Sequence, residues 1–468
     1  RARPDHGLSS LIAPRNRYFG LMLPYTPLHH LLLRDFPALV MTSANLTDEP
    51  IAFEDEEAHR RLGGIADAFL NHNRAIHTRA DDSIARVMAG RPLLLRRSRG
   101  YVPRAVFLPA AQASVLAVGA ELKNAVCLTQ GDRAYLSQHI GDLKNLEVHE
   151  SFVRTINHLK KLFEVDPQVV AHDLHPDYDS SRYAETLPGV RRVAVQHHHA
   201  HLASCMAEHG LTGEVLGLIF DGIGYGADGC IWGGEFLAGG YGGYRRLGHF
   251  RYVPMPGGDA ATREPARMAL SYLLQAFGAE LPPLPVVNTI PAGERALLLK
   301  MIERGINAPL TSSCGRLFDA VAALLGLRNK VSYEGQAALE LEMAIEPDEG
   351  DYPFALVEGE GGLIFDPAPL VRALVGEILA GVAVGVVSAR FHNSLARMMG
   401  GVARRLRDAT GLNRVVLSGG VFQNLYLVER GTRLLQADGF EVFTHSLVPP
   451  NDGGLALGQA VVAGFTTN

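Results

Sequence analysis

The sequence predicts an α/β protein in two parts, and three observations carry that prediction. A basic stretch gives way near residue 110 to short apolar runs separated by polar turns. A strand–turn–strand pattern at 115–138 is then echoed at 215–240. Further on, an apolar run at 415–417 passes through Ser418 into Gly419-Gly420 and a helical pattern. Runs of 4–8 apolar residues bounded by turn residues read as strands of a meander.

The elements follow in chain order. In the first part, 38–42 reads as a strand ending at Ser43 and Asn45, and Leu93-Leu94-Leu95 leads into Arg96-Arg97-Ser98-Arg99-Gly100. A Pro-containing stretch, 103–109, and a loose linker, 110–114, close this part. The expected domains are therefore 1–110 and 115–468. The second divides into lobes of about 115–210 and 211–468. Its first meander has strands at 115–119, 125–129 and 134–138, with turns at 120–124 and 130–133. Its second has a strand at 215–220, a Gly-rich turn from Asp221 to Gly229, and strands over 230–240 broken at Gly233-Gly234. Duplicated meanders open the two lobes of actin-like, sugar-kinase-like nucleotide binders, whose two hairpin turns face each other around a phosphate chain. Two unrelated hairpins are the alternative. The Gly419-Gly420 turn favours the first reading, because glycine lets backbone approach a ligand closely.

The stretch His197-His198-His199-Ala200-His201 follows an apolar run and opens a helical pattern. Residues four apart on a helix share a face, so His197 and His201 can share one metal ion. His198 and His199 point elsewhere, as neighbours or surface groups. Asp221 and Asp452, each beside glycines, supply what two imidazoles still need. Taken alone, an Asp at a helix start such as Asp452 is most often an N-cap. Such a His/carboxylate set suits one divalent ion: zinc, iron, manganese or magnesium.

Composition narrows the class. The chain has 468 residues, 47% of them hydrophobic, and a net charge of −5. That balance gives no bulk reason to bind nucleic acid. No apolar run approaches the roughly 18–20 residues that cross a bilayer. The most apolar stretch, 378–389, is interrupted by Gly381 and Gly385. Cys127, Cys205, Cys230 and Cys314 are scattered, which favours a reducing, cytoplasmic compartment. No signal-peptide pattern opens the chain. It begins with Arg1, which suggests a fragment.

An ordered set of motifs now resembles the hydrogenase-maturation carbamoyltransferases of the HypF family. They are Val40-Met41-Thr42-Ser43-Ala44-Asn45, Leu94-Leu95-Arg96-Arg97-Ser98-Arg99-Gly100-Tyr101-Val102-Pro103, and Leu136-Ser137-Gln138-His139-Ile140-Gly141-Asp142-Leu143. Gln196-His197-His198-His199-Ala200-His201, Asp221-Gly222-Ile223-Gly224 and Ser313-Cys314-Gly315-Arg316-Leu317-Phe318-Asp319-Ala320 follow. Ser332-Tyr333-Glu334-Gly335 and Asn451-Asp452-Gly453-Gly454 complete the set. The resemblance implies a partial YrdC-like α/β domain followed by a two-lobed actin-like ATPase domain with duplicated mixed sheets. It further implies an enzyme that activates carbamoyl phosphate with ATP through carbamoyl adenylate. The carbamoyl group then passes to the C-terminal cysteine of HypE, towards a cyanide ligand of [NiFe] hydrogenase. No nucleic acid or membrane partner is implied. Carbamoyl adenylate hydrolyses readily, which is a reason to shield it from water in a chain that carries both sites.

Carried over by that resemblance, His197, His201, Asp221 and Asp452 are the metal ligands and catalytic set. The ion would polarise the acyl group for thiolate attack. Asp319 bonds ribose hydroxyls or is a helix-face carboxylate. Gly419, Gly420 and Asn424 form the adenosine-side turn, with Gly222 and Gly335 in matched nucleotide motifs. Lys123 meets a phosphate or is a solvated turn lysine. Ser43, Asn45 and Arg96, with Ser83 more loosely, match the YrdC-like nucleotide site. Arg97 and Arg99 bind phosphate or coat the surface; the residues alone leave this open.

Three departures from the family pattern bear on activity. The acylphosphatase-like and Cys-rich zinc-finger regions are absent from this sequence, so hydrolysis of carbamoyl phosphate is not expected of it. The first half of the YrdC-like pattern is absent too, so little adenylate synthesis is expected from this chain alone. The tRNA-modifying relatives carry Asp-Lys where this chain has Asp319-Ala320. Three rivals remain: a tRNA threonylcarbamoyl transferase, which wants a basic RNA surface; a small-molecule kinase, which needs no histidine pair; and a non-catalytic HypE-binding scaffold.

Overall fold

The computed structural model describes residues 3, 5–46, 49–88 and 90–467, in two compact units, Arg1–Asp81 and Asp82–Asn468. In the first unit the helices are Pro27–Leu32 and Asp55–Leu62. Thr26 Oγ1 accepts the His29 N–H and Pro27 starts the first helix, a favourable cap. Arg61 pairs with Glu57 one turn earlier in the second helix and ties that helix to Glu49. The expected strand at 38–42 does not form. These residues are irregular, and Val40 and Met41 are exposed. A strand needs a partner for its backbone groups, and none is present among the described residues of this unit.

The second unit opens with a hairpin, β1 (Ile84–Met88) and β2 (Arg91–Arg96). A five-stranded sheet comes next: β3 (Val106–Gln112), β4 (Val115–Ala117), β5 (Cys127–Leu136), β6 (Val169–Asp173) and β7 (Arg191–Val195). Its order is β3-β5-β4-β6-β7. The stretch expected to be a linker, 110–114, is largely the end of β3. Val106 and Leu108 alternate with exposed residues and bury in the first lobe's core, which holds the strand at the sheet edge. Pro109 is tolerated there because an edge strand can spare an N–H. The compact units meet at Asp81/Asp82, so β1, β2 and β3 belong to the second unit.

β5 folds back on itself at the expected turn, 130–133. Ser137 N–H donates to Val126 O and Ile140 N–H to Asn124 O, and Gly131 has φ of 60°. β4 runs antiparallel to β5 and parallel to β6, which runs parallel to β7.

The second sheet repeats that pattern. β8 (Val215–Tyr225) is antiparallel to β9 (Ile231–Gly240) and parallel to β15 (Arg414–Ser418). β15 is parallel to β16 (Glu441–Thr444). The sheet is extended by β10 (Gly243–Phe250), β13 (Ala355–Gly359) and β14 (Gly362–Asp366), and the short β11 (Val253–Pro254) and β12 (Leu310–Thr311) attach beside β9. Two sheets with the same hairpin and parallel additions define the two-lobed actin-like plan.

Two details differ from the sequence reading. Asp221 lies within β8 rather than in a turn, at a register shift between Phe220 and Gly224, so the true turn is shorter. Gly233 and Gly234 do not break β9. Their missing side chains let the strand approach: a Cβ on Gly233 would lie 2.7 Å from Asp221 O, and one on Gly234 2.4 Å from Ser312 O.

The helix Leu455–Thr467 returns to the first sheet, packing with β4, β5 and β6 and against the helix His197–Glu208. The crossing is tight because a Cβ on Gly458 would stand 1.8 Å from Ala200 O. No helix among the described residues is long and apolar enough to cross a membrane.

Candidate metal centre and cleft

Four side chains from three elements converge between the lobes. Gln196 caps the helix His197–Glu208 by accepting the His199 N–H, so His197 and His201 leave its first turns on one face. β8 supplies Asp221 at its bulge, where an irregular strand re-aims a side chain. The 3₁₀ turn Asp452–Gly454 supplies Asp452. Asn451, not Asp452, caps that turn by accepting the Gly453 N–H at 2.9 Å, so Asp452 is left for other work.

His197 Nε2 lies 3.3 Å from Asp221 Oδ2 and 3.5 Å from Asp452 Oδ1. His201 Nε2 lies 3.4 and 3.6 Å from the same two oxygens. Both Nε2 atoms are buried without a hydrogen-bond partner. One ligand atom from each of the four residues falls within 4.8 Å of all the others. Ligands about 2.0–2.1 Å from a tetrahedral zinc stand about 3.3 Å apart. The residues thus fit a divalent ion in spacing, donor type and orphaned nitrogen atoms.

The supporting bonds aim these groups. Asp173, at the carboxyl end of β6, accepts His197 Nδ1–H at Oδ2 over 2.8 Å and His175 N–H at Oδ1 over 2.9 Å. That fixes the ring and presents Nε2 to the cleft, the usual carboxylate–histidine support of a metal ligand. Gly420 N–H donates to Asp221 Oδ1 over 2.9 Å, leaving Oδ2 to the imidazoles. Burial disfavours charge on both histidines. Asp173 and Asp452 outweigh it and hold His197 well above the usual imidazole range; Asp221 and Asp452 raise His201. Against burial, the two imidazoles hold Asp221 well below the carboxylate range and Asp452 at about 2.

The neighbouring histidines are buried, not on the surface. His198 Nδ1 meets the Gln196 amide at 3.1 Å, and burial pulls its pKa well down. His199 Nε2 bonds Gly240 O at 2.7 Å.

The expected nucleotide residues fall in several places. Asp319, in the helix Cys314–Leu324, is buried and paired with Arg316 at 2.9 Å. Burial pushes its carboxyl up to about 6 against the pull of Arg316. Gly222 is close by: a Cβ on Gly315 would stand 2.9 Å from Gly222 Cα. Gly419, with φ of 102°, admits no side chain, since a Cβ would lie 2.3 Å from Phe220 O. Asn424 caps the helix Leu425–Ala437 and donates to His392 Nε2 at 2.9 Å, so the fold occupies its side chain. Gly335 is exposed and precedes the helix Gln336–Ala344 with φ of 75°. Lys123, in the first-lobe turn, bonds Glu334 of the Ser332–Gly335 segment. Ser43 and Asn45 lie in the first unit and Arg96 in the second, at the end of β2. Ser43 is exposed and Asn45 donates to Leu46 O. Ser83 Oγ ties the chain locally to Arg99 O and Ser98 N.

Sequence reasoning missed Asp173, Gln196 and Arg316. Asp173 had a usable signal: an acidic residue ending a buried strand, where open α/β sheets place ligand-binding groups.

The fold and cleft define a class: two-lobed actin-like proteins with a His/Asp cluster between the lobes. Residues 217–459 match the family described as carbamoyltransferase, Kae1-like domain, second subdomain, and 110–208 match the HypF Kae1-like domain. Residues 1–98 match the Sua5, YciO and YrdC family described as telomere recombination. Carbamoyltransferase HypF2 of Cupriavidus necator is 42% identical over 97% of this chain and 61% of its own length. A HypF homolog from the same organism is 40% identical over 77% of this chain and 94% of its own length. A crystal structure of full-length HypF in the phosphate- and nucleotide-bound form, 42% identical, superposes with a TM-score of 0.93 over 97% of this chain and 72% of that one. HypF of T. kodakarensis, 33% identical, also has a TM-score of 0.93, over all of this chain and 62% of that one. The chain belongs to the HypF carbamoyltransferase family. It spans about three-fifths of the length of the first curated relatives it matches.

Proposed function

We propose that this chain carries the carbamoyl-transfer half of an ATP-dependent reaction. Carbamoyl phosphate is activated as carbamoyl adenylate, and the carbamoyl group passes to the C-terminal cysteine thiol of HypE. Family membership supports the reaction class, and the cluster of His197, His201, Asp221 and Asp452 is the observation that carries the transfer step. The domain reading that goes with it assigns 1–110 to a YrdC-like part and 115–468 to the transfer domain. In keeping with it, family matches cover 1–98 and then begin again at 110.

A divalent ion held by the four ligands would supply Lewis-acid polarisation of a phosphoryl or carbamoyl oxygen. The chain's own groups do the rest. Asp173 holds the His197 ring, and Gly420 holds Asp221. Burial of the cluster keeps water from a labile mixed anhydride. On this reading Asp319 meets the ribose, Gly222, Gly335, Gly419 and Gly420 shape the nucleotide cleft, and Lys123 exchanges Glu334 for a phosphate. Ser43, Asn45 and Arg96 belong to the adenylate-forming part. The protein acts in the cytoplasm.

Mass spectrometry of HypE after incubation with this chain and supplied carbamoyl adenylate tests the proposal. The expected product is a carbamoyl adduct on the C-terminal cysteine. An unmodified HypE, with intact protein and metal present, overturns the transfer assignment.

A further inference from the structure

We propose that Glu208 and Ser204 are positioning residues for Asp452, so that the helix carrying His197 and His201 also sets the place of a third ligand. His197, His201, Ser204 and Glu208 recur at steps of three and four residues along the helix His197–Glu208. That spacing puts them on one face. The face meets the segment that leads into and out of Asp452. The Glu208 side chain is 1% exposed. Its Oε1 accepts the Ser446 N–H at 2.7 Å, and its Oε2 accepts the Val448 N–H at 3.0 Å. Ser204, also buried, donates from Oγ to Gly454 O at 2.7 Å. Asp452 is thus bracketed on both sides by bonds to the helix of the two histidines. Between the brackets Pro449 and Pro450 fix φ, and Asn451 caps the turn. Bonds from backbone N–H groups to a buried carboxylate are of the strong, charge-assisted kind.

Two further contacts tie the same segment down. Arg97 Nε donates to Leu447 O at 3.2 Å, and the Glu208 charge acts on that guanidinium. His445 Nδ1 stands 3.4 Å from Glu208 Oε2, and its Nε2 stands 2.7 Å from Ser418 Oγ. A carboxylate beside Nδ1 favours the proton there, which leaves Nε2 to accept the Ser418 O–H. Ser418 precedes the Gly419-Gly420 turn, whose Gly420 N–H aims Asp221. The Ser418–His445–Glu208 chain has the composition of a nucleophilic triad. Ser418 is 0% and His445 2% exposed, so no acyl substrate reaches the hydroxyl, and the chain holds elements in place instead. The inference rests on the reading that the four ligands hold an ion.

The test is titration of the metal-free full chain with cobalt(II), followed by its d–d absorption, whose position and intensity report ligand number and geometry. Glu208→Gln keeps the size but turns an NH₂ group on one of the two backbone donors. It should weaken cobalt binding about tenfold or more, the usual cost of losing a supporting group, and change the spectrum. Ser204→Ala should weaken binding about threefold to tenfold, the span of one neutral hydrogen bond, and shift the spectrum in the same direction. Ser394→Ala is the control. Ser394 is buried in the helix Val384–Thr410 and accepts the Tyr352 N–H at 2.7 Å, so its loss lowers the melting temperature without touching the cluster. It should keep the wild-type cobalt affinity and spectrum. Wild-type affinity and spectrum in Glu208→Gln overturn the proposal, and where that variant does not fold, the same result in Ser204→Ala overturns it. A Ser394→Ala change as large as that of Ser204→Ala overturns it too, because general destabilisation then accounts for both. A wild type that takes up no cobalt overturns the four-ligand reading and this proposal together, whereas bound cobalt with unmoved variants overturns this proposal alone.

Discussion

Asp173 Oδ2 and His197 Nδ1 stand 2.8 Å apart, both fully buried, and join the first lobe's β6 to the helix that begins the cluster. The bond settles which imidazole nitrogen faces the cleft. Asp173→Asn keeps the volume and loses the acceptor charge. It should weaken zinc binding about 10–100-fold, the usual cost of losing a supporting carboxylate. Competition against a chromogenic chelator measures this, and an unchanged affinity would remove the positioning role.

The double variant His197→Ala/His201→Ala should lose stoichiometric metal, as read by elemental analysis, and lose carbamoyl transfer. Each wild-type imidazole has a buried Nε2 without a protein partner. Removing His197 also leaves the buried Asp173 Oδ2 without its donor, so a circular dichroism spectrum matching the wild type is required alongside the metal content. Stoichiometric metal in the purified double variant would refute the ligand assignment.

Gly420 sits against Asp221, since a Cβ there would lie 2.9 Å from Asp221 Oδ1. Gly420→Ala should displace that carboxylate by a few tenths of an ångström. The expected signature is weakened metal binding with a nearly unchanged melting temperature. A variant that binds metal as well as the wild type would show that Asp221 tolerates the shift.

Asp319 has a carboxyl pushed up to about 6 by burial. A carboxyl raised in the folded state favours folding while protonated. Its contribution is complete below the unfolded value of about 3.9 and is lost as pH rises through about 6. Asp319→Asn should therefore stabilise the nucleotide-free protein more at about pH 7 than at about pH 4. Denaturant unfolding at both pH values checks the sign. The same reading makes Asp319→Ala weaken ATP or AMP binding at least tenfold, since a charged hydrogen bond is worth about 1.5–3 kcal/mol. Unchanged affinity would move the ribose elsewhere.

Gly458 lets the C-terminal helix lie on the helix of His197 and His201. Gly458→Ala has no room at Ala200 O, so it should cost about 1–3 kcal/mol of stability as overpacking does. Urea unfolding of the metal-free protein checks this. A neutral result would mean that the two helices can separate without strain.

Much of the cluster was legible in the sequence because it rests on local rules. The spacing of His197 and His201 on a helix and the repeated strand–turn grammar both follow from backbone periodicity. The glycine turn after β15 was legible too, and at Gly419 a φ of 102° and a Cβ position 2.3 Å from Phe220 O exclude a side chain. Local pattern failed where pairing decides. The strand expected at 38–42 lacks a partner among the described residues, and the expected linker at 110–114 became part of an edge strand because Val106 and Leu108 had a core to enter. Asp221 belongs to a bulged strand rather than a turn because β9 pairs on both sides of it.

The sequence by itself determined the α/β class, the duplicated lobes and the identity of four side chains able to hold an ion. Only the tertiary structure decided that Asp173 orients His197 and that Gly420 aims Asp221. It also paired Asp319 with Arg316 and committed Asn424 to a helix cap. Each of those is a contact between residues distant in sequence or a choice among competing hydrogen-bond partners. Such choices depend on where whole elements pack, and no periodicity along the chain encodes them.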